Sequence, residues 1–374
     1  MNNAVIAAYT RSPFHLANRG ELAKIRPDDL LANTVRGLLQ QSKIKGEDIE
    51  DLICGCAFPE GEQGFNIARL IVFMSGLPNS VAGATINRWC GSSMQGVHMA
   101  AGSIALGAGD AFICAGIESM SRIPMMGFNP MPNPALFAKY PKALMSMGDT
   151  AEVVAKKYHI SRSAQEAFAM ASQRKAANAR QLGSFDREII AINGITADGC
   201  IRADTTLDQL ATLKPAFDVN GTVTAGTSSA LTDGAAALLV CSEAYANSNN
   251  IKPLARIIAV AVSGCDPQIM GMGPVAATNK ALQRAGLSIA DIDIIELNEA
   301  FAAQALACIG ELGIEQDKVN LDGGALALGH PLGASGARIL GKAASLLQRE
   351  GKRYALATQC IGGGQGIATI LEAI

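Results

Sequence analysis

The chain is poor in aromatic residues. Phe, Tyr and Trp make up 5% of its 374 residues, and Trp89 is the single tryptophan. That argues against a surface on which nucleic-acid bases stack. Charge is scarce too: 17% of residues are Asp, Glu, Lys or Arg, and the formal net charge of −2 gives no bulk attraction to nucleic acid or an anionic membrane. Only four His are present (His15, His98, His159, His330), and the one close Cys pair, Cys54 and Cys56, lacks the spacing of a metal knuckle. No metal site is expected. No apolar run reaches the ~18 residues of a membrane span. Both phosphate-loop patterns, Gly-x-x-x-x-Gly-Lys-Ser/Thr and Gly-x-Gly-x-x-Gly after a strand, are missing. Met1-Asn2-Asn3 runs straight into a strand-like stretch, so no secretory leader is expected. Nine scattered Cys then read as reduced thiols in a cytoplasmic compartment, not as a disulfide framework.

What is abundant is apolar sequence (49%) and glycine, 39 residues. The first suggests surface buried between subunits, and the second suits close helix–sheet packing. The chain is organised around Asn87-Arg-Trp-Cys-Gly-Ser-Ser-Met-Gln-Gly96. Val81 to Ile86 reads as a buried strand. After Cys90, Met94, Val97, Ala101 and Ile104 recur at helical steps. Cys90 thus falls where a strand gives way to a helix, and free N–H groups with the helix dipole favour a thiolate there. Two readings of this stretch stay open: an activated nucleophile, or a buried Cys used as a small apolar residue.

Taken in order, Val5 to Ala8 reads as a strand, Asp28 to Gln41 as a helix, Ile49 to Cys54 as a strand, Ile67 to Gly76 as a helix and Asp110 to Gly116 as a strand. Leu30 to Phe58 can be laid on Gly273 to Phe301 without a gap, at an offset of 301 − 58 = 243. Leu39-Gln40 then meets Leu282-Gln283, and Ala57-Phe58 meets Ala300-Phe301. A helix–strand unit repeated in register predicts two similar α/β halves, each a mostly parallel sheet with helices on it. Ser119 to Gly148, rich in Met and Pro, reads as an adaptable apolar loop. Ser161 to Leu182 reads as a helix opened by a Ser163–Glu166 capping box. The expected division is residues 1–117 with 232–252 as one half, 118–231 as an inserted loop domain, and 253–374 as the other half.

Three further motifs carry chemistry. Ile294 to Phe301 is a strand whose end presents Asn298. Gly323 to Gly336 is a Gly-rich loop carrying His330. Gln359-Cys360-Ile-Gly-Gly-Gly-Gln-Gly366 follows a strand from Tyr354 to Thr358. Each polar group sits where a strand turns, the place where open α/β sheets build sites. Together they supply a thiol nucleophile, an imidazole base, a second thiol, and amide and glycine N–H groups able to hold an oxyanion.

On Asn87-Arg-Trp-Cys-Gly-Ser-Ser93, Asn298-Glu-Ala-Phe301, Gly329-His-Pro-Leu-Gly-Ala-Ser-Gly336 and Cys360-Ile-Gly-Gly-Gly364, the chain resembles the thiolases, which cleave or form 3-ketoacyl-CoA. The resemblance covers almost the whole length. It implies a five-layered αβαβα fold of two repeated halves with an inserted loop domain. It implies Cys90 as acyl acceptor, His330 as its base, and Cys360 as the acid/base for the α-proton. Asn298 would hold the water that shares one oxyanion hole with His330. The backbone N–H groups of Cys90 and Gly362 would form the other. Arg202 and Ser229 fall at positions that contact CoA in the family. It implies no permanently bound cofactor, CoA thioesters as substrates, a homodimer or homotetramer, and a partner subunit in β-oxidation. Thr227 stands where the family usually has Asn, and Ser146-Met147-Gly148 lacks the His that biosynthetic acetoacetyl-CoA enzymes place before Met-Gly. That missing His, with Cys90-Gly-Ser-Ser-Met94 and Gly364-Gln-Gly366, leans to the degradative, broad-chain-length branch, with a biosynthetic acetoacetyl-CoA thiolase as the alternative. A decarboxylating ketoacyl synthase would pair its nucleophile with two His, or His and Asn, and Cys360 argues against it. A non-catalytic acyl-CoA-binding subunit has no need of all four motifs.

Overall fold

In the computed structural model, which describes residues 2–374, a first run of elements comprises β1 (Ala4–Arg11), β2 (His15–Leu16), α1 (Pro27–Ser42), β3 (Asp51–Cys56), α2 (Ile67–Ser75), β4 (Ala82–Ile86), α3 (Ser92–Leu106) and β5 (Ala111–Ser119). The chain then leaves the sheet through α4 (Pro134–Lys139), α5 (Met147–Lys157), α6 (Arg162–Gln181) and α7 (Leu207–Ala211), and returns as β6 (Thr232–Ser242) and α8 (Glu243–Ser248). The second run is β7 (Ala255–Gly264), α9 (Gly273–Ala285), β8 (Ile294–Leu297), α10 (Ala302–Leu312), α11 (Ala325–Leu328), α12 (Leu332–Glu350), β9 (Tyr354–Ile361) and β10 (Gln365–Glu372).

The repeat has a structural counterpart. Shifted by 243, the 3-10 turn Gly46–Asp48 falls on the turn Ile289–Asp291, and β3 falls where β8 lies. Helices α1 and α9 end at equivalent positions, Lys43 (φ 55) and Gly286 (φ 67), each a left-handed cap. The strands run in the order β4-β3-β5-β6-β1-β7-β10-β9-β8, with β2 on β6, and the two halves meet where Val5 and Ile6 pair with Arg256 and Ala255. Parallel pairing is confined to the outer strands of each half: β3 with β4 and β5, and β8 with β9. The middle of the sheet is antiparallel. The reason is local at β9–β10, where three residues join the strands and no crossover fits.

Three apolar cores stack into five layers. One lies between α1 and α2 and the outer face of the first half (Leu31, Val35, Ile71, Leu52, Ile113). The central one holds α3 and α12 between both halves (Met94, Val97, Ala337, Leu340, with Ile53, Leu238 and Ala357). The third lies under α9 and α10 (Ala281, Ile309, Ile295, Leu356). Leu52 and Ile53 serve different cores because successive strand side chains point to opposite faces.

Two local expectations change. The strand ending at Ile86 was read as buried, but it is the sheet's free edge and is partly exposed. Its residues are small because α2 crosses it closely: a Cβ on Gly83 would lie 2.6 Å from the Arg69 backbone. Helix α6 is capped by Ser161, whose Oγ accepts from the Ala164 N–H (3.2 Å), while Glu166 pairs with Arg162 instead of closing a capping box.

Candidate active site

Cys90 lies in a 3-10 turn, Trp89–Gly91, ahead of α3. Trp89 takes a positive φ of 42°, rare for a bulky residue. The turn is held by its neighbours. Asn87 Oδ1 accepts the Trp89 N–H (2.7 Å), and Ser92 Oγ accepts from the Arg88 N–H (2.9 Å) while donating to the Trp89 carbonyl (2.6 Å). The indole covers the glycines of the Cys360 motif; a Cβ on Gly363 would be 2.5 Å from Trp89 Cζ3. The Gln359 amide donates to the Cys90 carbonyl, tying the turn to β9 across 269 residues.

The thiolate-favouring position expected for Cys90 is overridden by its surroundings. Although the residue is only partly buried, packing around the sulfur pushes the thiol up to about 11. Hydrogen bonds from the N–H groups of Gly362 and of Cys90 itself act the other way, and the Glu118 carboxylate adds to the rise. The helix starts at Ser92, beyond Cys90, and Ala57, Met120 and Leu332 pack around the side chain. Cys90 therefore rests as a thiol.

His330 is buried, at the entrance to α12. Burial, with the Arg338 charge, lowers it to about 3, so the imidazole is neutral. Its protonation site follows from the bonds. Ser335 Oγ donates to the Pro331 carbonyl (2.9 Å) and so accepts at 2.5 Å from Nδ1–H. Nε2 then carries the lone pair, and Asn298 Nδ2 reaches it at 3.3 Å. Asn298 Oδ1 is buried with no partner. The first turn of α12 reaches this place because Gly116 and Gly333 allow backbone contact: a Cβ on Gly116 would lie 2.3 Å from the Gly333 carbonyl oxygen. Thr232 Oγ1 accepts the His330 N–H (3.0 Å).

Cys360 is buried near the end of β9, among Met147, Ala300 and Phe301. Desolvation raises its thiol well above the usual range, and proximity to Cys90 adds to the rise. The fold thus gathers Cys90, Cys360 and the Gly362 N–H in one group and His330 with Asn298 in another. Leu332, two residues after His330, packs in the cluster that contains Cys90. Ser229 is half-buried and its N–H donates to the Ala300 carbonyl (2.9 Å), beside the Asn298 motif. Arg202 stands apart on the surface, its backbone N–H held by Gln173 Oε1 (2.7 Å).

Three contributors were not singled out from sequence. Gln359 and Ser335 sit inside quoted motifs, so adjacency was their only signal. Glu118 had none. Buried, it accepts from the N–H groups of Ala57 (2.8 Å) and Gly333 (2.9 Å), joining the first half to the His330 loop.

Two strand-end thiols, a neutral imidazole and convergent amide donors on a repeated five-layer fold define an acyl-transfer class of site. Known proteins narrow this. The thiolase N-terminal domain matches residues 4–244, and the thiolase C-terminal domain matches residues 251–373. The 3-ketoacyl-CoA thiolase of Colwellia psychrerythraea is 48% identical, and that of Bacillus subtilis 45%, each aligned over 100% of both chains. Human mitochondrial 3-ketoacyl-CoA thiolase, solved by crystallography, superposes with a TM-score of 0.91 at 37% identity, covering 100% of this chain and 99% of that one. The same human enzyme in complex with CoA gives a TM-score of 0.92, covering 100% and 98%. The chain belongs to the thiolase family, whose members carry acyl transfer.

Proposed function

We propose that this chain cleaves 3-ketoacyl-CoA with CoA, giving acetyl-CoA and a shortened acyl-CoA. The observation that carries the reading is the pairing of two environments: Cys90 under the Gly362 N–H beside Cys360, and His330 fixed as the Nδ1–H tautomer by Ser335. His330 Nε2 takes the Cys90 proton, and the sulfur attacks the keto carbon. The keto oxygen's charge is met by the new Nε2–H and by a water on the unpartnered Asn298 Oδ1. The bond between the keto carbon and its α-carbon then breaks. Cys360 gives its proton to the leaving carbanion, which departs as acetyl-CoA. The acyl group remains on Cys90 as a thioester whose oxygen faces the N–H groups of Cys90 and Gly362. The thiol of free CoA gives its proton to the Cys360 thiolate as it attacks that thioester; the Cys90 sulfur leaves, takes back its proton from His330, and the shortened acyl-CoA departs. CoA is a substrate, and Arg202 and Ser229 are the residues we assign to it.

The same reading divides the chain into a half formed by residues 1–117 and 232–252, an inserted domain of 118–231, and a half of 253–374. It places the enzyme in the cytoplasm in β-oxidation, with its nine thiols free, working with a partner subunit. It also makes the enzyme a homodimer or homotetramer. The free edge of β4, with exposed Phe65 and Phe73 nearby, supports that assembly, and light scattering at ~39 kDa alone would count against it.

The test is turnover with free CoA and 3-ketoacyl-CoA of four, ten and sixteen carbons. Both ends of the Met- and Pro-rich loop touch the site, Met120 in the Cys90 cluster and Met147 beside Cys360. Adaptable thioethers there predict that the longer substrates are cleaved at least as efficiently as acetoacetyl-CoA. A strict four-carbon preference would favour the biosynthetic alternative.

A further inference from the structure

A second cleft, of about 1010 Å³, lies at the other end of α12 from His330. The 17 helical steps from Leu332 to Arg349 span roughly 25 Å at 1.5 Å per residue. The cleft is walled by the C-terminal ends of α1 and α12, the segment after α6 and the segment after α8. None of the residues assigned above to catalysis or CoA lines it.

Its charge is one-sided. Lys43, Lys45, Arg187 and Lys252 stand exposed around it, and none of the four is in an ion pair among the described residues. Lys342, buried deeper in, and Arg349, exposed at the rim, are already held, by Glu188 (2.6 Å) and by Asp322 (2.8 Å). The two acids of the lining are also engaged: Glu188 by Arg11 and Lys342, and Asp48 by the Tyr245 hydroxyl (2.6 Å). Six cations face two carboxylates, so the lining carries a net charge of 6 − 2 = +4 in a chain whose total is −2. Tyr9 also lines the cleft, its ring against Gly341 and its hydroxyl buried beneath the surface. Ile44, Ile251 and Tyr245 add apolar wall beside the cations.

We propose that this cleft is a second ligand site and that it takes a nucleoside polyphosphate. The phosphates would meet the four unpaired cations, and the base the apolar wall. A finite concave volume suits a small molecule of this kind rather than an extended nucleic acid or a membrane. The proposal is independent of the reaction assigned to the Cys90 site.

The test is calorimetric titration of the full chain with ATP, free of magnesium, at low salt. Saturable binding in the micromolar to submillimolar range is expected, weakening as salt is raised. Lys45→Glu/Lys252→Glu changes two exposed side chains and should weaken ATP at least about tenfold while leaving thiolysis without nucleotide unchanged. No saturable heat up to millimolar ATP would overturn the proposal, and the cations would then serve only the helix C-termini that end here. Binding that survives Lys45→Glu/Lys252→Glu but is displaced by CoA would overturn it too, placing the nucleotide in the catalytic site.

Discussion

Replacing Ser335 with Ala tests whether the His330 tautomer matters. Ser335 Oγ is the acceptor for Nδ1–H and a donor to the Pro331 carbonyl, inside a pocket where His330 is 5% exposed. Ala fits the helix and leaves Nδ1–H buried without a partner, a cost of about 1–3 kcal/mol. The tautomer with Nδ1 as acceptor also loses its Ser335 partner, so only the difference between the two costs moves the balance away from the form that offers Nε2 as a base. If that difference equals the full cost, the rate of Cys90 acylation drops by about 5- to 150-fold, at 1.36 kcal/mol per tenfold. Ser335 is not among the residues assigned to CoA, and its hydroxyl is engaged by His330 and Pro331, so KM should hold within about twofold while kcat falls. The assay is steady-state thiolysis, with acylation of Cys90 followed by intact mass and a thermal melt to confirm folding at the assay temperature. Ser335→Thr, which keeps a hydroxyl, should recover much of the rate if the 2% exposed site accepts its methyl. An Ala variant that melts lower but turns over normally would refute the argument, because Ser335 would then support the fold without orienting the imidazole.

The two thiols should separate by half-reaction. Cys360→Ala should still be acylated by acetyl-CoA on Cys90, but should lose roughly a hundredfold or more in thiolysis and stop exchanging the acetyl methyl protons with deuterated water. Cys90→Ala should not be acylated at all; retained acylation would reverse the roles. Acid stability should carry a His330 signature. Its folded pKa of about 3 lies below the unfolded value near 6.5, so the unfolded chain binds a proton that the folded chain refuses. Stability from this group is full above about pH 6.5 and falls by about 1.4 kcal/mol per unit as pH drops toward 3. Denaturant melts of His330→Gln should show a shallower acid arm, and an identical slope would contradict the assignment. Gly366→Ala should fail to fold or lose several kcal/mol in urea melts, because its Cβ would fall within bonding distance of the Gly273 carbonyl group at the α9–β10 contact. A near-native midpoint would mean that this contact yields.

The repeat, the four motifs and the fold class were legible in the sequence because each is written in short-range order. Hydrophobic period marks helix and strand, and one offset of 243 aligns a helix, a turn and a strand whose caps at Lys43 and Gly286 obey the same local chemistry. Acyl transfer was legible through the resemblance of the four motifs to the thiolases, which strand-end thiols and an imidazole made chemically coherent. Other features depend on what lies across space. Whether Val81 to Ile86 is inside or at an edge depends on whether another strand pairs beyond it, and none does among the described residues. The antiparallel middle of the sheet comes from the short β9–β10 connection and from β6 returning after a long excursion. Local sequence placed Cys90 before a helix, where a thiolate is favoured. Only packing by Ala57, Met120 and Leu332, from distant parts of the chain, enclosed the sulfur enough to keep its proton. The bonds from Gln359 to Cys90 and from Asn298 to His330 join residues 269 and 32 positions apart. Such contacts arise when separate strand ends are brought to one rim, and no spacing along the chain encodes how those rims meet.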